Sequence, residues 1–508
     1  MTATPIASTS SLSTPGDPRR DLAQLLIPAI PWNPGSGFTD ARPLINEALA
    51  LGVGGFLLQG GEQDVVRALA KELQLKSRHP LLIAADLERG AGQQFDGATG
   101  LPPVAAIAAI ADIESLKRAA RLTAREARTM GVNWNLSPVC DLDLLDTNPN
   151  IGTRALGNDP RKVGQLATAW VEATQAEGVL SCAKHFPGYG RATTDAYLET
   201  PSVDASAEII KDQDLAPFRA VISAGVASIM TAHVAYPAID PSRVPATLSR
   251  ELLQWLLRQQ LKFDNLIVSD AMDMVGVHGG ADVAETCVQA IRAGCDVLLQ
   301  PGDVNTTLDA LVAALASGAI DPDRVRQSVR RRLKWAQWAS PPNDWRRPSG
   351  ADTAWGALLA DRVINVQHGP LPPLASITEV IIVDDDEDVT GTRPERTFLL
   401  EALRVGGTDA RQVEAPSAAT SGGPLVIALF SDYLPFKRRT TVRPETIARI
   451  EKARGQASAL QRETILLGLG DPRFAKQIPF NIPTVIAWSG DRVMQQAAAR
   501  AMQKVKKA

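Results

Sequence analysis

The sequence predicts a (β/α)8 barrel of the triosephosphate-isomerase type followed by a smaller α/β layered domain. The chain has 508 residues, room for two to four domains at about 150 residues each. From Leu25 to about Gly302, eight short apolar, β-rich runs alternate with longer amphipathic stretches, the pattern of repeated βα units around a parallel sheet. The Pro-, Ser- and Gly-rich stretch SPPNDWRRPSG then separates this region from a second periodic one and reads as a boundary.

The eight runs are LLIPAI (25–30), GGFLLQ (54–59), LLIAADL (81–87), VNWNLSPV (132–139), VLSCAKH (179–185), ASIMTAHV (227–234), NLIVSDAM (265–272) and CDVLLQP (295–301). Segments such as EQDVVRALAKELQL, ESLKRAARLTAREARTMG and RELLQWLLRQQLKF lie between them. Their apolar residues recur at three- and four-residue spacing, so they read as helices. Eight strands with helical crossovers over some 300 residues make a closed barrel, which ends at the helical segment DRVRQSVRRRLKWAQWA. In the second region SITEVIIVDDD, GPLVIALFSD, ETILLGLGD and IPTVIAWSG read as strands, with RPERTFLLEALRVGG, RPETIARIEKARG and RVMQQAAARAMQKV as helices. The expected division is a disordered lead-in over 1–20, the barrel over 21–340, a linker over 341–372 and the α/β domain over 373–508. The acidic run Asp384 to Asp388 (DDDED) is expected to form a solvated turn.

Composition narrows the function classes. With 53 basic and 56 acidic side chains and a net charge of −3, the chain has no electrostatic footprint for nucleic acid or an anionic membrane. The four cysteines, Cys140, Cys182, Cys287 and Cys295, are far apart and suggest neither a zinc site nor a disulfide framework. No apolar run approaches the roughly 20 residues of a spanning helix, and the Ser-, Thr- and Pro-rich start lacks the apolar core of a secretion signal. The expectation is a cytoplasmic protein without metal or cofactor; oligomeric state is not legible.

Active sites of such barrels lie at the carboxyl ends of the strands, and there the sequence places several charged residues. Asp86 ends the third run, Asp141 follows the fourth, Lys184 and His185 end the fifth, His233 ends the sixth and Asp270 the seventh. Aromatic residues make up only 5% of the chain, which argues against an extended aromatic platform for a polymer. Lys184 alone also fits a Schiff-base lysine, the weakest of the readings.

The segment CAKHFPGYGRATTDAYLETP (182–201) resembles the Lys-His-Phe-Pro-Gly loop of glycoside hydrolase family 3, above all its β-N-acetylglucosaminidase branch. Further similar motifs follow in order: AADLERGAGQQF (84–95), SPVCDLD and IGTRALGNDP, MTAHVAYPAID with PATLS, and VSDAMDM with AGCDVLL. The resemblance implies a retaining enzyme that removes terminal β-linked N-acetylglucosamine or glucose from a small glycoside or oligosaccharide. It implies Asp270 as nucleophile, Asp86, Arg154, Lys184 and His185 as binders of sugar hydroxyls, and His233 in the pocket lining. Asp141 is read either as a sugar ligand or as a buttress behind one, the buttress being preferred. The C-terminal region is similar only in architecture to the second domain that many members carry.

The chain departs from the pattern at the acid. The resemblance implies an Asp-Ser-His dyad after strand five, whose His donates the proton and whose Asp orients it; here the residues are Asp195, Ala196 and Tyr197, so the orienting Asp195 is kept and the His is not, and a second family His is Tyr189. An Arg usual after the Asp86 position is Gln94. Three alternatives stay open. Tyr197 acts as the acid, although a phenol near pKa 10 is a poor match for the task; a carboxyl such as Glu199, Glu387 or Glu395 replaces the His; or hydrolysis is lost and the chain is a catalytically impaired sugar-binding relative.

Overall fold

The computed structural model describes residues 17–339, 349–389, 393–418, 423–434 and 436–505. Each of the eight predicted runs contains strand: Leu26–Ile27 with Ala29–Pro31, Gly55–Gln59, Leu82–Ala85, Trp134–Asn135, Leu180–Phe186, Ser228–Thr231, Leu266–Ala271 and Val297–Leu299. All neighbours are parallel. The first run is broken at Pro28, which has no N–H to give. Its first half pairs with the last strand through Leu26↔Leu298 and its second half with the next strand through Ala29↔Leu57. The Pro28 carbonyl still accepts from Leu57 N at 3.0 Å, so the barrel closes across the break. The fourth run shrinks to two residues because Pro138 interrupts its ladder.

Strand pleating then decides what faces inward. Leu82 and Ala84, Leu180 and Cys182, and Leu266 and Val268 belong to the barrel's interior cluster with Leu57, Trp134, Met230 and Leu299. Trp335 and Ala336 of the helix Pro322–Trp338 pack against this cluster. With a side-chain period of two, the next inward positions on three strands are Asp86, Lys184 and Asp270, all of which line one pocket. The apolar ladder fixes the backbone and delivers these charges to the mouth.

The second domain is a six-stranded sheet ordered Asn365–Gln367, Thr484–Ile486, Thr464–Gly470, Leu425–Ser431, Ile377–Asp384 and Asp409–Gln412. The first of these pairs antiparallel and the rest are parallel. LVIALFS and TILLGLG are buried along their whole length, as parallel strands covered on both faces must be. Helices Gly350–Val363, Phe398–Val405 and Arg492–Gln503 contribute to the core on one face, and Pro444–Ala459 to that on the other.

Three expectations need correction. The expected lead-in includes the start of a helix, Pro18–Ala23, whose first turn is capped by Asp17 accepting from Arg19 N at 3.1 Å; residues 1–16 lie outside the described residues. The expected linker is in part the beginning of the second domain, since it holds the helix Gly350–Val363 and the edge strand Asn365–Gln367; residues 341–348 lie outside the described ones. The acidic run is not a solvated turn throughout. Asp385 and Asp386 are buried, because Lys437 Nζ lies 2.7 Å from Asp386, Arg443 Nε 3.3 Å from Asp385, and Thr446 Oγ1 donates to Asp385 at 2.7 Å. Buried carboxylates persist where such partners meet them. Among the described residues no helix is long and apolar enough to cross a membrane.

Candidate active site

A pocket of about 350 Å3 opens at the carboxyl ends of the barrel strands. Its floor is a chain of charges. Lys184 Nζ, on a side chain only 2% exposed, lies 2.7 Å from Asp86 and 2.8 Å from Glu88. Arg154 clamps Glu88 with two bonds, Nε at 2.9 Å and Nη2 at 2.8 Å, and its Nη1 donates to the Asn150 carbonyl. Burial works to raise the Glu88 carboxyl, but Arg154 and Lys184 outweigh it and hold the group well below its ordinary range. Burial likewise works to lower Lys184, and Asp86 and Glu88 push it up instead. Glu88 is spent on the two cations, whereas Asp86, 37% exposed, faces the pocket. Forked, fixed donors and acceptors of this kind match the paired hydroxyls of a sugar ring.

Asp270 stands apart from that chain. His185 Nε2 lies 3.8 Å from its Oδ2, and its Oδ1 accepts from Ala271 N at 2.8 Å. Burial would raise this carboxyl; His185, His233, the Ala271 N–H and Lys184 together lower it below its usual value, so it is an anion at neutral pH. Strand parity alone sends His185 away from the mouth. The register shift between Ala183 and Phe186 turns it in, as bulges do, and Asp141 then holds it with Oδ2 2.7 Å from Nδ1. Asp141 is fully buried and also accepts from the His185 and Tyr189 amides. His233 lines the pocket, but both ring nitrogens are engaged: Nε2 with the Ala271 carbonyl at 2.9 Å and Nδ1 with Thr247 Oγ1 at 2.8 Å. Burial lowers its pKa, and its Nε2, facing a carbonyl, is the donor of that pair.

With this geometry in place, comparison with known proteins is decisive. Residues 20–334 match the model of the glycosyl hydrolase family 3 N-terminal domain. The chain belongs to family 3. Over 292 residues it is 35% identical to a β-N-acetylglucosaminidase/β-glucosidase of Cellulomonas fimi, covering 56% of this chain and 52% of that protein. The match thus spans about half the length of that relative. A β-hexosaminidase of Idiomarina loihiensis is 35% identical over 275 residues, 53% of this chain and 81% of that one. A solved family 3 β-N-acetylglucosaminidase from Paenibacillus superposes with a TM-score of 0.80 at 26% identity, covering 96% of each chain, so the likeness includes the second domain.

The loop that carries Asp195 and Tyr197 is tied to that domain. Asp195 Oδ1 accepts from Tyr197 N at 3.0 Å and from Asn150 Nδ2 at 3.2 Å, and its Oδ2 accepts from Phe436 N at 2.9 Å. It orders backbone and amide groups, and its bond to residue 197 goes to the main chain. Tyr197 lines the pocket; burial, with Asp270 and Asp86 nearby, pushes its phenol above the ordinary value. Tyr189 also lines it, and its hydroxyl donates to the Thr194 carbonyl while accepting from Asn150 and Ala196. Glu199 is exposed, Glu387 binds Arg443 and Glu395 binds Thr397; none of the three lines the pocket.

Several pocket residues were missed from sequence. Glu88 sits two residues beyond Asp86, and the only signal was a second acid in the same motif. Gln93, whose Oε1 accepts from the Glu88 and Arg89 amides, had none. Tyr433 and Leu434 come from the second domain, more than 160 positions beyond Asp270, and nothing local could announce them. Gln94 does line the pocket. Among the described residues no group of three or more His, Cys, Asp or Glu is arranged to hold a metal ion.

Proposed function

We propose that the protein is a retaining exo-glycosidase that removes a terminal β-linked N-acetylglucosamine or glucose, with Asp270 as nucleophile. The observation that carries the reading is the separation of roles in the pocket: one anionic carboxylate, Asp270, lies apart from a self-neutralised chain of Asp86, Lys184, Glu88 and Arg154. The named activities of the family relatives point the same way. In the first step an Asp270 oxygen attacks the anomeric carbon, and the bond to the leaving oxygen breaks with its electron pair moving onto that oxygen. Tyr197 is the acid on this reading, because Tyr197 lines the pocket while Glu199, Glu387 and Glu395 do not. Its proton goes to the leaving oxygen. In the second step water attacks the anomeric carbon, the ester bond breaks back onto Asp270, and the water proton returns to Tyr197. A phenol pushed above its usual pKa is a reluctant donor, so leaving groups that need little protonation react best.

The test is covalent trapping. A 2-fluoro sugar with an activated leaving group should label Asp270, and Asp270→Asn should abolish both labelling and turnover with the fold intact. A label mapped to another carboxylate overturns the assignment. Sugar binding without turnover on any of a panel of aryl β-glycosides would instead favour the impaired, sugar-binding relative.

A further inference from the structure

The barrel carries a second charged cavity, at the end opposite its mouth. Asp296 directly precedes the strand Val297–Leu299, and Asp264 stands two residues before the strand Leu266–Ala271, so both mark amino ends of strands. Beside them opens a pocket of about 350 Å3 whose lining includes Arg258, Lys262, Phe263, Asp264, Arg324 and Arg331. Asp296, fully buried, meets three guanidinium groups: Arg258 Nη2 at 2.5 Å, Arg324 Nη1 at 2.8 Å and Arg331 Nη1 at 3.3 Å. Burial would raise its carboxyl, but these cations and the Ile267 N–H hold it well below its ordinary range. Arg331 also reaches Asp264 at 2.6 Å. Lys262 is exposed and makes no ion pair among the described residues. Four cations thus face two carboxylates. Burial, with the like charges of Arg331 and Arg324, pushes Arg258 down to about 10 against the pull of Asp296. Donors outrun acceptors too, since Arg324 Nε is buried without an acceptor among the described residues.

The amino-terminal face of such a barrel ordinarily serves stability, and tying the helix Pro322–Trp338 to the strand starts accounts for Asp296 and one arginine. It does not account for Lys262. This residue follows the helical segment Glu251–Gln260 at φ +54°, the left-handed position past a helix end that glycine usually fills. A long cationic side chain there serves the pocket, not the backbone.

We infer that this cavity binds a phosphate dianion, free or as the monoester of a small metabolite. Its surplus of two positive charges, Arg258, Lys262, Arg324 and Arg331 over Asp264 and Asp296, matches a dianion. The forks are already set. Arg258 donates to the Phe263 and Asn265 carbonyls at 2.6 and 2.7 Å, and Arg324 to the Gly294 and Cys295 carbonyls at 2.5 and 2.8 Å, so binding costs little side-chain ordering. Planar guanidinium groups fit phosphate oxygens in pairs, and the cavity has room beside the phosphoryl group for a sugar-sized ester.

The experiment is titration calorimetry on the full chain with inorganic phosphate and with glucose 6-phosphate, at an ionic strength held constant with sodium chloride. Saturable binding at a single site is expected with both. Tighter binding of the ester marks a phosphorylated metabolite as the occupant, and tighter binding of inorganic phosphate marks the free ion. Arg331→Gln and Lys262→Gly should each weaken the affinity about tenfold, the scale of one charge-assisted bond. Lys262→Gly also separates ligand binding from folding. Glycine takes the left-handed position without strain, so the melting temperature should hold or rise while phosphate affinity falls. Heats no different from those of added sodium chloride, or an affinity that survives in both variants and so belongs to another site, overturn the inference.

Discussion

Substituting Glu88 by Gln isolates the buried charge that the barrel depends on. The isosteric change leaves Lys184 and Arg154 facing Asp86 alone, so the four-residue cluster moves from neutral to one net positive charge. Glu88 is 7% exposed and Lys184 2%, which leaves little water to screen the excess. Removing one partner of a buried ion pair costs about 3–5 kcal/mol; with Arg154 31% exposed, the lower end, about 3 kcal/mol, is expected. Calorimetry at neutral pH should show the barrel transition lowered by about 4–5 °C, taking about 1.5 °C per kcal/mol from an unfolding entropy of about 2.1 cal/mol/K per residue over the roughly 320 residues of the barrel. The pH dependence has a definite sign. A carboxyl held below its usual 4.5 contributes stability above that pH and loses it as pH falls through the folded value. The gap between parent and variant should therefore be flat near neutrality and close in acid. A double cycle with Lys184→Met should show coupling above about 1 kcal/mol. A loss below about 0.5 kcal/mol, no more than an ordinary surface change, would refute the account of the cluster.

Asp141→Asn should cut kcat/KM by about tenfold to a hundredfold by releasing His185 from its 2.7 Å anchor, and unchanged kinetics would remove His185 from the mechanism. Gly152→Ala would place a Cβ 2.4 Å from the Tyr433 ring, so it should cost about 1–3 kcal/mol and disturb the pocket wall; a variant with parental melting and turnover would show that the domains are not held in this contact. Asp432 is raised to about 8 by burial and by Asp471 and Asp386, despite Arg89; the folded state binds its proton more tightly, so its contribution falls as pH rises from about 4 to about 8. Asp432→Asn should flatten that part of the stability profile, and an identical profile would show that the carboxyl titrates normally.

The sequence carried the barrel and the polar floor of the site for the same physical reason. Strands that close a barrel must alternate, and where Leu180 and Cys182 face the interior, Lys184 follows them into the mouth; Leu266 and Val268 do the same for Asp270. Periodicity read from one segment was enough. His185 breaks the parity and was found through its motif, because the shift that turns it inward leaves no mark in composition. The expected linker failed where pattern was weak: Asn365–Gln367 is a three-residue edge strand with two exposed residues, and its place in the sheet comes from pairing with Thr484–Ile486 more than a hundred residues away.

The altered dyad shows where one-dimensional reading stops. From sequence, Asp195 two residues before Tyr197 suggested a carboxylate aimed at the Tyr197 side chain. In the folded chain the same carboxylate meets three N–H donors, from Tyr197, Asn150 and Phe436, and the third comes from a domain whose approach no local pattern encodes. Two oxygens that hold two domains together are poorly placed to orient an acid as well. A histidine introduced at position 197 would therefore find its neighbouring carboxylate already engaged by these three donors, so Tyr197→His should not gain turnover on poor leaving groups, and a gain would show that Asp195 can leave the Phe436 amide to orient the ring.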